Sequence, residues 1–277
     1  PPATSAPADA DPSAAADQGA AATPTVPAGA DPSAPGSPDP ANPNAPYRDN
    51  GAIQHPGDGQ VPAPRRRGNG RNNDNNCTPN GTSSSAPANP GSGNNNGLEI
   101  LGDSCSSSRL EPHSGFQDGN RCVDTAFGEV GAAENNPTLI ITRAPRVVRR
   151  NQPFTITVST RNLVRDRFLG AAAGGYYLES SFLTEDGLTR GHFHTACRML
   201  NSRNRAPDPE PVPAFFVATE DGKGGRQPDQ VTITIPGLPE RGIAQCASWA
   251  GDGSHRVPMM QRANQIPAFD VVRIEVR

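Results

Sequence analysis

Apolar positions along the chain are unevenly spread, and their spacing changes sharply near residue 137. Beyond that point they fall in short β-branched runs separated by turn residues, the pattern of an all-β domain. Phe154-Thr155-Ile156-Thr157-Val158-Ser159 alternates apolar and polar with period two, as a half-buried strand does. Similar runs lie at 138–142, 176–183, 192–200, 214–219, 231–235, 243–249 and 269–276, and 162–169 reads as a helical turn. About eight short strands predict a β-sandwich over 137–277. Between 231–235 and 243–249, Pro236-Gly237-Leu238-Pro239 reads as a Leu-bearing corner that carries the chain across the sandwich. Immunoglobulin-like and fibronectin-like domains make this connection, although the tyrosine that often marks the corner is missing.

Residues 1–97 carry a different pattern. The stretch 1–46 is almost wholly Ala, Pro, Asp, Ser and Thr, and Ala10-Asp11-Pro12-Ser13-Ala14 recurs at Ala30-Asp31-Pro32-Ser33-Ala34. Proline this dense removes backbone donors and favours extended, solvated chain, so 1–97 reads as a disordered low-complexity arm. Residues 69–96, rich in Asn, Gly and Ser, read as its flexible linker. Arg65-Arg66-Arg67 is a solvated basic patch or a processing site, and Asn80-Gly81-Thr82 matches a glycosylation sequon. Residues 98–136 form a short cysteine-containing transition.

Composition supports this division. Hydrophobic residues are 33% of the 277, with 31 Pro and 29 Gly, too little apolar content to bury a core throughout. Up to residue 136 there are 7 Arg against 15 Asp and Glu, a net of −8; the remainder carries 18 basic residues against 13 acids, a net of +5. That modest balance implies no nucleic-acid partner. No run of 18 apolar residues occurs, so no membrane span is expected. The chain opens on Pro, which reads as a mature or trimmed form, and its Pro/Ala/Thr/Ser-rich start points to secretion.

The five cysteines sharpen the compartment. Cys105 and Cys122 enclose a small polar loop whose spacing fits no zinc pattern, so a disulfide is expected, with Cys77 as an alternative partner of either. Within 192–200, Phe193, Thr195, Cys197 and Met199 share one strand face. Placing that face inward makes Cys246 the natural partner of Cys197, and such bonds belong to an oxidising compartment.

The same parity sends His192 and His194 to the opposite face, towards solvent or a cleft. A His-x-His pair sets two imidazoles on one side of a strand, a spacing used by metal sites, and His255 offers a third nitrogen. Asp252 lies nearby, and the thioethers of Met259 and Met260 would suit copper, so the candidate cofactor is copper or zinc. The plain alternative is that these histidines bond loop carbonyls or carry charge. Catalytic patterns are weaker. Ser254 and His255 are adjacent and diverge, Asp252 with His255 or His192 could act as an acid/base pair, and no G-x-S-x-G, HExxH or phosphate loop occurs. Gly222-Lys223-Gly224-Gly225 reads as a hairpin loop.

Four runs carry a resemblance: Ser159-Thr160-Arg161-Asn162-Leu163-Val164-Arg165-Asp166-Arg167-Phe168, Gly174-Gly175-Tyr176-Tyr177-Leu178-Glu179, Arg190-Gly191-His192-Phe193-His194-Thr195-Ala196-Cys197-Arg198, and Cys246-Ala247-Ser248-Trp249-Ala250-Gly251-Asp252-Gly253-Ser254-His255-Arg256. Together they resemble uncharacterised secreted proteins of actinobacteria and filamentous fungi, often called hypothetical or Pecanex-like. The resemblance covers 137–277, implies secretion and transfers no catalytic residue. The sequence therefore predicts a secreted, non-catalytic β-sandwich in a binding or structural role, facing an unknown extracellular or cell-wall ligand. Arg161, Arg165, Arg167, Arg203 and Arg205 are candidate contacts for an acidic polymer, or simply solubilising cations. A copper or zinc protein using His192, His194 and His255 is the alternative, and a secreted hydrolase a further one.

Overall fold

A computed structural model describes Ala45, Tyr47–Asp49, Ala52–His55 and residues 101–277. Its regular structure is almost entirely strand, with only short 3-10 turns besides and long irregular loops between. The principal strands are β5 (Thr138–Arg143), β7 (Phe154–Arg161), β9 (Thr189–Leu200), β10 (Phe215–Glu220), β12 (Val231–Ile235), β13 (Gly242–Asp252) and β14 (Phe269–Val276). Shorter ones are β1 (Tyr47–Asp49), β2 (Ala52–His55), β3 (Glu111–Pro112), β4 (Arg121–Cys122), β6 (Val147–Val148), β8 (Leu163–Val164) and β11 (Gly224–Gly225).

Two sheets enclose one core. The larger runs β1-β2-β10-β9-β13-β14-β6, with β8 joining the start of β9 and β11 pairing with β8; the smaller runs β12-β7-β5. Period-two alternation buries Leu139 and Ile141 of β5, Ile156 and Val158 of β7, and Val231, Ile233 and Ile235 of β12. They pack with Phe193 and Cys197 of β9, Cys246 and Ala250 of β13, and Ile274 of β14. The 236–239 connection does pass from the smaller sheet to the larger, and Leu238 is fully buried in the core.

Both expected disulfides are present. Cys105 bonds Cys122; Cys77 lies outside the described residues, as do Arg65, Arg66, Arg67 and the sequon at Asn80. Cys197 and Cys246 are directly opposite one another on β9 and β13, with Cα atoms 4.1 Å apart, so this staple joins neighbouring strands of one sheet.

Several expectations fail for identifiable reasons. Residues 176–183 are not a strand: Tyr177 has a positive φ of 54°, and its N–H donates to the Ser254 carbonyl. Residues 162–169 form no helical turn, because Asn162 turns the chain at φ 58° and Leu163–Val164 pairs parallel with β9. Arg165 is not a surface cation. It is 1% exposed, donates to Asp221 and Asp229, and is held above its ordinary pKa by them although burial pulls it down. Arg167 is likewise occupied, in an ion pair with Glu179, whereas Arg161, Arg203 and Arg205 are exposed. Gly224–Gly225 is itself a short strand rather than free loop. Finally, Tyr47–Asp49 and Ala52–His55, within the stretch read as arm, supply β1 and β2, and β2 pairs with β10.

Candidate metal site

The site lies where β9 begins, on the face of the large sheet turned away from the core. Parity places His192 and His194 there as expected, but neither meets solvent: His192 is 0% exposed and His194 5%. They are covered by the loop that leaves β8 and by the turn that ends β13. Across the ladder, Trp249 stands opposite His194 and Gly251 opposite His192. A glycine at 251 matters, since a Cβ there would sit 3.1 Å from His192 Nε2 and 3.5 Å from the His255 Cα. Without a side chain at this position, a third ring can turn in.

That ring is His255. Its N–H donates to the Asp252 carbonyl, closing a tight turn, and it adopts a left-handed φ of 72°. A left-handed backbone at a non-glycine residue is uncommon and needs support from its surroundings. The support is visible. Asp252 is fully buried; its Oδ1 accepts the Ser254 and Arg256 N–H groups, and its Oδ2 accepts the Ser181 hydroxyl and Arg256 Nε. Ser254 Oγ accepts the N–H groups of Leu178 and Glu179, which ties the covering loop to the turn.

The three imidazoles converge. His192 Nε2 lies 2.9 Å from His194 Nε2 and 3.1 Å from His255 Nδ1, and the last two are 3.2 Å apart. An ion at the usual metal–imidazole distance of about 2.0–2.1 Å from each would see them at roughly 90–105°. The outer nitrogens decide the chemistry. His192 Nδ1 faces the Arg167 carbonyl at 3.1 Å, and His255 Nε2 faces the Leu169 carbonyl at 2.5 Å. A carbonyl only accepts, so those nitrogens carry the protons. His192 Nε2 and His255 Nδ1 are then both acceptors, turned towards one another and towards His194 Nε2. Such pairs repel unless a cation, or a proton on His194 Nε2, lies between them. A protein carbonyl behind each ring is the usual support of a ligating histidine. His194 departs from this pattern, for its Nδ1 is buried without a partner. Burial, with His192 and His255 adding to it, pushes the His194 imidazole well below the usual histidine range, so it is neutral at pH 7.

Aromatic rings enclose the cluster. Phe168 stands edge-on to His192 and His255 with centroids 5.0 and 5.4 Å away. Trp249 and Phe216 flank His194, and Tyr176 lies against His255 with its hydroxyl receiving that of Tyr177. Two cavities flank the site, one of about 580 Å³ touching Tyr177 and Arg256, the other of about 330 Å³ bounded by Arg167, Glu179 and Gly253. Neither is lined by any of the three histidines. Among the described residues, these three are the one His/Cys/Asp/Glu group close enough to hold an ion.

Asp252 is not part of it. Its oxygens are taken by serine and arginine, so the acid/base pairing with His255 or His192 does not form. Met259 and Met260 follow on the same loop, half-buried. Sequence reasoning missed the aromatic enclosure, the two backbone carbonyls and Gly251. Of these, Gly251 alone left a trace: a glycine inside a strand pattern often marks close approach of another group.

No family model matches the chain, and no curated protein matches it. Among solved structures, it is similar to a β-glucosidase from Listeria innocua in complex with isofagomine, at 10% identity and a TM-score of 0.28. A mutant of that enzyme with laminaribiose gives 10% identity and a TM-score of 0.26. Each likeness covers 51% of this chain and 16% of the other, and at such TM-scores carries no argument.

Proposed function

We propose that this chain is an extracellular, non-catalytic protein that binds copper or zinc through His192, His194 and His255, on an immunoglobulin-like two-layer β scaffold. One observation carries the reading. Two backbone carbonyls select the tautomers that leave lone pairs of His192 and His255 facing each other 3.1 Å apart. A bound cation turns that repulsion into attraction. Secretion is supported by two disulfides. Among the described residues no helix is long and apolar enough to cross a membrane. A non-catalytic role is favoured because Asp252 is engaged elsewhere and the flanking cavities do not reach the imidazoles. The acidic-polymer reading loses two of its five arginines to internal ion pairs.

Calorimetric titration of the full chain with Zn(II), and anaerobically with Cu(I), tests the proposal. One ion per chain is expected, with binding abolished in His192→Ala and His255→Ala. A folded native chain that takes up neither ion overturns it.

A further inference from the structure

The charge around the three imidazoles points to the ion they hold. Three carboxylates on the segments that cover them are each matched by an arginine. Glu179 pairs with Arg167, Asp252 with Arg256, and Asp166 with Arg190. No carboxylate or thiolate joins the group among the described residues. The enclosure is Phe168, Trp249, Phe216 and Tyr176, so the ion's full charge would be placed in a poorly polarisable, enclosed space.

Resting on the metal-site reading above, we propose that this is a cuprous site: three-coordinate, and selective for Cu(I) over Zn(II) and Cu(II). The Born cost of burying an ion grows with the square of its charge, so a dication costs about four times what a monocation does. With no negative ligand to offset it, that difference falls wholly on the divalent ions. Coordination number acts in the same direction. Zinc takes four ligands, the fourth in an open site being water. Here the protein supplies three, and the exposures of His192, His194 and His255 are 0, 5 and 7%. Cu(I) is satisfied by three imidazoles. Moving each ring outward by about 0.2 Å brings an ion 2.0 Å from every nitrogen into their common plane.

The test is a pair of competitions on the full chain, Cu(I) against bicinchoninate under reducing, anaerobic conditions and Zn(II) against a fluorescent chelator. X-ray absorption of the copper-loaded protein then counts the ligands. Cu(I) is expected to bind at least about a thousandfold more tightly than Zn(II), about 4 kcal/mol, with a three-nitrogen first shell. In Phe168→Asp, which sets a carboxylate beside His192 and His255, the preference should move towards zinc by about tenfold or more. Zinc binding as tightly as Cu(I), a four-ligand cuprous shell, or an unshifted preference in folded Phe168→Asp overturns the cuprous assignment while leaving the metal site intact. Failure to bind either ion overturns both.

Discussion

Gly251→Ala is the sharpest perturbation of the site, because it adds one methyl and removes nothing. The new Cβ would stand 3.1 Å from His192 Nε2, 3.3 Å from its Cε1 and 3.5 Å from the His255 Cα. Comfortable carbon contacts lie near 3.5–4.0 Å, so the His192 ring must retreat by roughly 0.4 Å. That is about a fifth of a 2.0 Å metal–nitrogen bond, and it also strains the bond from Nδ1 to the Arg167 carbonyl. Displacing a ligand through its supporting contacts typically costs 10–100-fold in metal affinity, or about 1.4–2.8 kcal/mol. Overpacking should cost the metal-free protein about 1 kcal/mol, the low end of its usual range, since the ring can tilt. Competition titration against a chelator reads the affinity, and urea denaturation of the metal-free chain reads the stability. Gly119→Ala, with nothing within 4 Å of its Cβ, is the control and should match the native protein in both. A folded Gly251→Ala chain with native affinity refutes the placement of the ion between these rings.

Three further outcomes follow from the same structure. Removing the Cys197–Cys246 bond by double substitution to Ala releases a loop of 49 residues and should lower stability by about 4 kcal/mol, read as a shifted urea midpoint; an unchanged midpoint contradicts it. Arg165→Met leaves Asp221 and Asp229 facing one another and should cost about 3–5 kcal/mol. Adding Asp221→Asn and Asp229→Asn should recover part of that loss, and no recovery would show that Arg165 acts through packing. In the metal-free protein, the unfolded chain protonates His194 near pH 6.5 while the folded one resists. Stability is therefore fully present above that pH and falls as pH drops below it, by up to about 1.4 kcal/mol per unit until the folded pKa is reached. His194→Phe should flatten the fall, and a native midpoint that rises on acidification contradicts the sign.

Much of the scaffold was legible because strand periodicity is local. The alternation in 154–159 and 231–235 places Ile156, Val158, Val231, Ile233 and Ile235 in the core without reference to any neighbour. The face assignment of Cys197 and both histidines followed from the same parity. What failed was the layer over that face. Residues 176–183 look like a strand by composition, yet their N–H groups are drawn to Ser254, a residue more than seventy positions away. Arg165 looked solvated because nothing local announces Asp221 and Asp229. The site is a case of the same division. Three histidine side chains could be named from the sequence, but the carbonyls of Arg167 and Leu169 that set their tautomers belong to backbone and carry no residue signature.

The central claim is that three imidazole nitrogens meet at one point and share one ion, and imidazole ¹⁵N NMR through a metal titration addresses it directly. In the metal-free chain His192 should be protonated at Nδ1 and His255 at Nε2, each towards its carbonyl. On addition of one equivalent of metal, His192 Nε2, His194 Nε2 and His255 Nδ1 should shift together and saturate together. The opposite tautomer at His192 or His255, or a shift confined to one ring, would contradict the shared site.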